Sequence, residues 1–278
     1  MKVEDCIVGV QRRGTGGCLD LAFVFAREFA NPLLRLTLVF AVPACALVWL
    51  LTSTLTDMLF PSLLIFLFFA SLYNGALVGA VGPQVFGVPM SVRGGLRLLR
   101  QRIFGYLLLC GCYRFLQVMS GFCFLIPSIL VTAHFGHLAE VLILEQSPIS
   151  KSLSRLSWLG QGGGFGRNVG RAMTLTAFWM LFSAGVFLLI DFLAVSLFNV
   201  RILSGQLSGN QLSFEDQFAA VTLDNPAFLT AIHVSCWVSY PVVRLAWFFC
   251  YLDQRIRNEC WDLQLQCRAE TARLEAMT

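Results

Sequence analysis

Apolar and polar positions alternate on a long scale, with six extended apolar stretches separated by shorter polar ones. They cover Leu33 to Thr54, Pro61 to Val81, Ile103 to Leu125, Ile126 to Gln146, Arg171 to Ile190 and Pro226 to Leu252. A helix rising about 1.5 Å per residue needs roughly 20 apolar residues to cross a bilayer, which each stretch supplies or approaches. The pattern therefore predicts an all-α fold, a polytopic membrane bundle of about six transmembrane helices. Between the spans three segments show helical amphipathicity without the length to cross: Leu19 to Ala30, the turn Arg93 to Arg102, and Ile149 to Leu159. These read as interfacial helices on the cytosolic side. The organisation is then a cytosolic lead over 1–32, a six-helix domain over 33–252, and a cytosolic helix and tail over 253–278.

Local signals refine these elements. Asn31-Pro32 and Asp224-Asn225-Pro226 combine a capping side chain with a first-turn proline, which marks helix starts. Pro43 and Pro241 lie inside spans, where neighbouring helices can satisfy the freed carbonyls. Ser71, Gly75 and Gly79 recur every fourth residue and give a small-residue stripe for close helix approach, within the chain rather than between copies. The polar stretch from Asn199 to Asn225, with a short helix expected from Ser213, forms the long outer loop.

Composition supports the class. Hydrophobic residues make up 57% of the 278 and charged residues 13%, about half the share of a soluble domain. The net charge of +4 matters less than its placement. With six spans, Lys and Arg cluster in the segments on the side of the termini, and the other side receives Arg201 alone. The positive-inside rule then puts both termini in the cytosol, and the expected address is a bacterial cytoplasmic (inner) membrane. A cleavable leader is not expected, because acidic residues stand among the basic ones in the first thirty positions. The ten cysteines fall in apolar runs or basic flanks without metal-finger spacing, so reduced, inert thiols are expected.

Four ionisable residues inside the spans invite a functional reading: Arg114, His134, His137 and Glu140. Charges at membrane depth cost several kcal/mol unless paired or hydrated. Counting outward from a turn near residue 125 puts Arg114 opposite residue 137, about 4.5 Å in depth from Glu140, so Arg114 and Glu140 are the expected pair. His134, His137 and Glu140 at spacings of three make an incomplete metal set, with His233 and Asp191 as the only further donors considered. A hydrogen-bonded polar seam is the favoured reading over an ion or lipid site. Gly160 to Gly166 lacks the preceding strand and the Lys-Ser/Thr of a phosphate loop and reads as a flexible linker. No cofactor is expected, and no nucleophile-base arrangement signals an enzyme. Arg93, Arg97 and Arg100 share one helical face suited to anionic head groups.

The final span passes into Tyr251-Leu-Asp253-Gln-Arg255-Ile-Arg257-Asn-Glu259-Cys-Trp-Asp262-Leu263 without a break signal. Asp253 with Arg257, and Arg255 with Glu259, are spaced to pair on a helix. Glu145 and Arg155 are their expected neighbours, with Glu145 binding Arg155, Arg255 or Arg257. The run resembles the closing signature Tyr-x-Asp-x-Arg-x-Arg-x-Glu-x-x-Asp-Leu of the glycerophosphoryl diester phosphodiesterase membrane-domain family and its stand-alone relatives. Glu145 followed by Ser152-Leu-Ser-Arg155-Leu-Ser-Trp-Leu159-Gly160 is similar to a second pattern of that group, with Leu156 where a serine is usual. The resemblance spans roughly Leu33 to Leu265 and implies a six-helix fold and a bacterial inner-membrane address. The phosphodiesterase activity of that group belongs to a separate soluble barrel, so no catalysis is implied. The function expected is a non-enzymatic scaffold or accessory subunit, with membrane lipids and other proteins as partners and no nucleic acid. The alternative is a transporter or lipid-binding protein using the Arg114, His134, His137, Glu140 set.

Overall fold

The structure is a computed structural model that describes residues 12–55, 58–85, 88–161, 163–200, 202, 225–259, 267, 270–271 and 273–274. The described residues form α1 (Thr15–Glu28), α2 (Ala30–Thr54), α3 (Leu59–Val85), α4 (Val92–Gln101), α5 (Ile103–Cys123) and α6 (Leu125–Phe135). A π-helical turn follows (Glu140–Leu144), then α7 (Ile149–Leu159), α8 (Gly164–Phe198) and α9 (Pro226–Glu259). Six helical segments are long and apolar enough to cross a membrane: 30–54, 59–85, 103–122, 125–144, 164–198 and 226–259. Their outward faces carry apolar side chains that water would not tolerate in such number, including Phe104 (88% exposed), Leu181 (75%) and Phe198 (75%). The chain is an all-α bundle of a multi-pass membrane protein.

The helices fall into two compact units. One comprises residues 1–33, 74–175 and 242–278, the other 34–73 and 176–241. In the first, the small-residue stripe does its work within the chain. A Cβ on Gly95 of α4 would sit 2.5 Å from the Ala76 carbonyl of α3, and one on Gly79 would sit 3.2 Å from the Gly95 carbonyl. Gly75 likewise leaves room for Leu99, Tyr106 and Ile143. The bare backbones let α4 lie directly on α3. Ser91 caps α4 by accepting from the Gly94 N–H at 3.1 Å. α1 buries Cys18, Ala22 and Phe25, spaced as one helical face, while Arg27 and Glu28 stay exposed. Phe25 meets Phe249 of α9 edge-on at 5.7 Å between ring centres.

One local expectation changes, and the packing face of α7 becomes defined. The face of α7 that packs inward is Ser152, Leu156 and Leu159, and Ile149 and Leu153 are about half exposed. A serine takes the inward place because its hydroxyl donates to the Pro148 carbonyl, 2.9 Å away, and so brings no unpaired polar group into the core. The described glycines of the cluster, Gly160, Gly163, Gly164 and Gly166, belong to a turn and a helix start rather than to a flexible linker. α8 already begins at Gly164, Phe165 N–H returns to the Gly160 carbonyl at 2.9 Å, and Gly163 takes φ +78°. Only glycine adopts that backbone without strain.

The second unit is held by rings. Phe66, Tyr73, Trp179, Trp237 and Tyr240 meet one another at 5.5–6.1 Å between centres. Ser183 and Ser239 share a hydrogen bond of 2.6 Å. Asn225 caps α9 by accepting from the Ala227 and Phe228 N–H groups at 3.0 and 3.2 Å, with Pro226 in the first turn as expected. Of the stretch from Asn199 to Asn225 only residues 199, 200, 202 and 225 are described, and the helix expected from Ser213 lies outside the described residues.

Candidate functional site

The charged end of α9 organises the first unit. One turn separates Asp253 from Arg257, whose Nε lies 2.8 Å from Asp253 Oδ2. Arg171 near the start of α8 donates to that same oxygen and, at 3.0 Å, to the Cys250 carbonyl. The Arg13 backbone N–H donates to Asp253 Oδ1 at 2.7 Å, and Arg257 Nη2 donates to the Arg13 carbonyl at 3.2 Å. One buried carboxylate thus ties α9, α8 and the chain entering α1. Beside it the Cys18 and Cys250 thiols hydrogen-bond to each other. That bond, with help from the Arg171 charge, pulls the Cys18 thiol below its ordinary value against the opposing effect of burial.

A second knot forms around Glu145, just beyond the π-helical turn. Arg155 of α7 grips it with a two-pronged fork, Nε to Oε2 at 2.7 Å and Nη2 to Oε1 at 3.0 Å. The Tyr251 hydroxyl of α9 donates to Oε1 at 2.6 Å. Arg155 also meets Glu259, whose carboxylate lies 2.7 Å from Arg255, and Arg255 comes within 3.8 Å of Glu145. The Arg155 guanidinium stacks over the Trp158 ring at 4.6 Å. Burial pushes the Glu145 carboxyl upward, but the Arg155 and Tyr251 hydrogen bonds and the Arg155 and Arg255 charges outweigh it, leaving the group below its usual range. Arg155 is correspondingly held above its ordinary value, first by its bond to Glu145. Gln254 and Asn258 complete the join by donating to the Leu159 carbonyl at the end of α7.

Of the expected ion-pair residues, the structure therefore joins Glu145, Arg155, Arg255 and Glu259 in one knot and Asp253 with Arg257 in the other. Glu145 selects Arg155 and secondarily Arg255, while Arg257 serves Asp253. Asp262 lies outside the described residues. Arg93, Arg97 and Arg100 stand exposed along α4 opposite its buried Gly95 and Leu99.

The expected intramembrane set does not assemble. Glu140, fully buried, pairs with Arg244 of α9 at 2.6 Å rather than with Arg114. Arg114 instead donates to Gln117 at 2.7 Å, Gln117 donates to Thr132 at 2.9 Å, and the guanidinium lies 5.1 Å over the Tyr113 ring. Depth counted from the α5–α6 hairpin says nothing of which way each side chain faces, and Glu140 faces α9. His134 rests edge-on against Phe135 and Phe165. His137 is stacked on Trp247 at 4.7 Å and tilted against Tyr251; Gly136 makes that possible, since a Cβ there would strike the Trp247 ring at 2.6 Å. His233 bridges the Leu229 and Ser62 carbonyls, each at 2.9 Å, and Asp191 accepts from the Ile202 N–H. Among the described residues no group of three His, Cys, Asp or Glu side chains is placed to hold a metal ion.

Sequence reasoning missed Arg244, Arg171, Arg13, Tyr251 and Asn168. Arg244 carried a usable signal, because it stands alone in the apolar run from Pro241 to Cys250 and so needs a partner by the same rule applied to Glu140. Tyr251 opens the C-terminal signature, which marked it as a family position without revealing its bond to Glu145; nothing in the spacing marks Arg171, Arg13 or Asn168.

The helices define the class, a multi-pass membrane protein. Compared with protein-family models, curated proteins and solved structures, the chain finds no match.

Proposed function

We propose that the chain is a non-enzymatic accessory protein of the bacterial inner membrane, with both termini cytosolic, that scaffolds or regulates partner proteins at the cytosolic face. The observation that carries this reading is that the described charges of the C-terminal signature are engaged within the protein. Asp253, Arg257, Arg255 and Glu259 hold α1, α7, α8 and α9 together, which is the chemistry of a brace rather than of a reaction centre. What remains outward on that side is a presenting surface: Arg93, Arg97 and Arg100 on α4, and Ile149, Lys151 and Leu153 on α7. The three arginines suit anionic lipid head groups, and the half-exposed apolar pair suits a membrane surface or a protein partner. Positive charge in the segments between spans supports the orientation. The C-terminal signature's resemblance to the phosphodiesterase membrane-domain family supports the bacterial address.

Purification in native-like lipid followed by mass spectrometry of what stays bound tests the reading. Recovery of the same protein partners from wild type, reduced in an Arg93→Gln/Arg97→Gln/Arg100→Gln variant or in Leu153→Asp, supports it. Retention of one lipid class with no protein contradicts it and favours the second reading, a lipid-binding or transport protein. That alternative draws on the half-buried Arg114–Gln117–Thr132 string in the α5–α6 hairpin. It loses the four-residue site that first motivated it, since Glu140 is taken by Arg244.

A further inference from the structure

We propose that His137, Glu140 and Asn168 enclose a binding site for ordered water inside the first unit, beside the Glu140–Arg244 ion pair. This goes beyond the scaffold reading and does not depend on it. The three side chains are 1%, 0% and 3% exposed. Four of their polar atoms are buried and make no hydrogen bond with the protein: His137 Nδ1 and Nε2, Glu140 Oε2 and Asn168 Oδ1. Proteins seldom leave such atoms orphaned, and four on three neighbouring side chains mark a site with a guest.

The three residues converge. The helical winding that holds Glu140 restarts at His137, whose carbonyl accepts from the Val141 N–H at 3.1 Å, and Arg244 lies near the His137 ring while taking one oxygen of Glu140. Asn168 lies beside the imidazole, yet the contact falls outside hydrogen-bond geometry. Its amide nitrogen is occupied by the Ala133 carbonyl at 3.3 Å, so its oxygen is the group left to face the ring. The backbone is irregular at this point. α6 gives way to a turn at Gly136 and His137, and the next residues wind as a π-helical turn in which Glu145 N–H reaches back to the Glu140 carbonyl at 3.1 Å. Single π-helical turns inside helices concentrate at binding sites, because the wider turn reorients side chains.

Charge and hydrogen-bond count identify the guest. Glu140 is matched by Arg244, so the ion pair beside the site brings no net charge of its own and favours a neutral molecule. A neutral imidazole offers one donor and one acceptor. The three side chains then present three acceptors (Glu140 Oε2, Asn168 Oδ1 and the bare ring nitrogen) against one donor, and the buried Nε of the Arg244 guanidinium on Glu140 adds a second. A guest must bring more donors than acceptors in use and occupy little space. Water does both: two O–H groups meet two of the acceptors while its oxygen receives the His137 N–H.

The chain has three histidines, which makes a direct test practical. Protein labelled with ¹⁵N in the imidazole rings is reconstituted in bilayers, and the His137 signals are assigned by their loss in His137→Phe, which keeps a ring on Trp247. Solid-state NMR then reads two things: whether the ring nitrogens have hydrogen-bonded shifts, and whether magnetisation passes from water to the ring proton. The expected result is hydrogen-bonded shifts with water transfer in wild type, and loss of most of that transfer in Asn168→Leu while the remaining signals hold their positions. A wild-type ring with free-nitrogen shifts and no transfer overturns the proposal. So does transfer that survives Asn168→Leu undiminished. Should Asn168→Leu not fold, Asn168→Ser is read by the same criteria, and the wild-type spectrum alone can still overturn the site.

Discussion

Glu140 and Arg244 carry opposite charges where neither meets solvent, at 0% and 5% exposure. Such a pair gains little over a well-packed apolar pair, but losing one partner strands the other charge and costs roughly 3–5 kcal/mol. Glu140→Ala is therefore expected to lower stability by about that amount, and Glu140→Leu/Arg244→Met to recover most of it; denaturation in mild detergent measures both. Glu145 behaves differently because its carboxyl is held below the ordinary range. A depressed folded-state value means the stabilisation is present above the unfolded value of about 4.3 and is lost as pH falls through the folded one. The stability gap between wild type and Glu145→Gln should stay flat near neutrality and close below about pH 4. A gap that does not change on acidification would show that Arg155 and Tyr251 do not hold the carboxylate.

Among the elements, α4 and its bed on α3 give the sharpest prediction. A methyl group at Gly95 would meet the Ala76 carbonyl at 2.5 Å, and a carbonyl in helix backbone cannot yield as a side-chain tip can. Gly95→Ala should destabilise by about 1–3 kcal/mol, while Gly111→Ala, with nothing within 4 Å, should be nearly silent. Thermal unfolding of the two proteins side by side decides it. The elements are also where the sequence was most legible. Runs of apolar residues located every spanning helix, and Ser71, Gly75 and Gly79 announced close packing within the chain. The pairs Asp253–Arg257 and Arg255–Glu259 were legible because a helix fixes neighbours four apart. Arg171–Asp253 and Arg244–Glu140 were not, because residues 82 and 104 positions apart meet only through tertiary packing. The inward turn of Ser152 was hidden for a related reason: a serine that bonds its own helix loses the polarity by which its position is judged.

At the scale of the whole molecule the account rests on orientation and on the brace. The proposed orientation, with both termini cytosolic, predicts that Cys267, which is exposed, resists a membrane-impermeant maleimide in intact cells and reacts after lysis; Ser→Cys placed in the loop after α8 should show the reverse order. The brace is tested most directly at Asp253, the carboxylate shared by Arg171, Arg257 and the Arg13 backbone. Removing its charge strands Arg171, itself 4% exposed, between α8 and α9. The decisive measurement is the thermal unfolding of Asp253→Asn in lipid nanodiscs, together with protease sensitivity of the segment preceding α1. The account predicts a melting temperature well below wild type and early cleavage near Arg13, whereas an unchanged melting curve with the N-terminal segment still protected would contradict it.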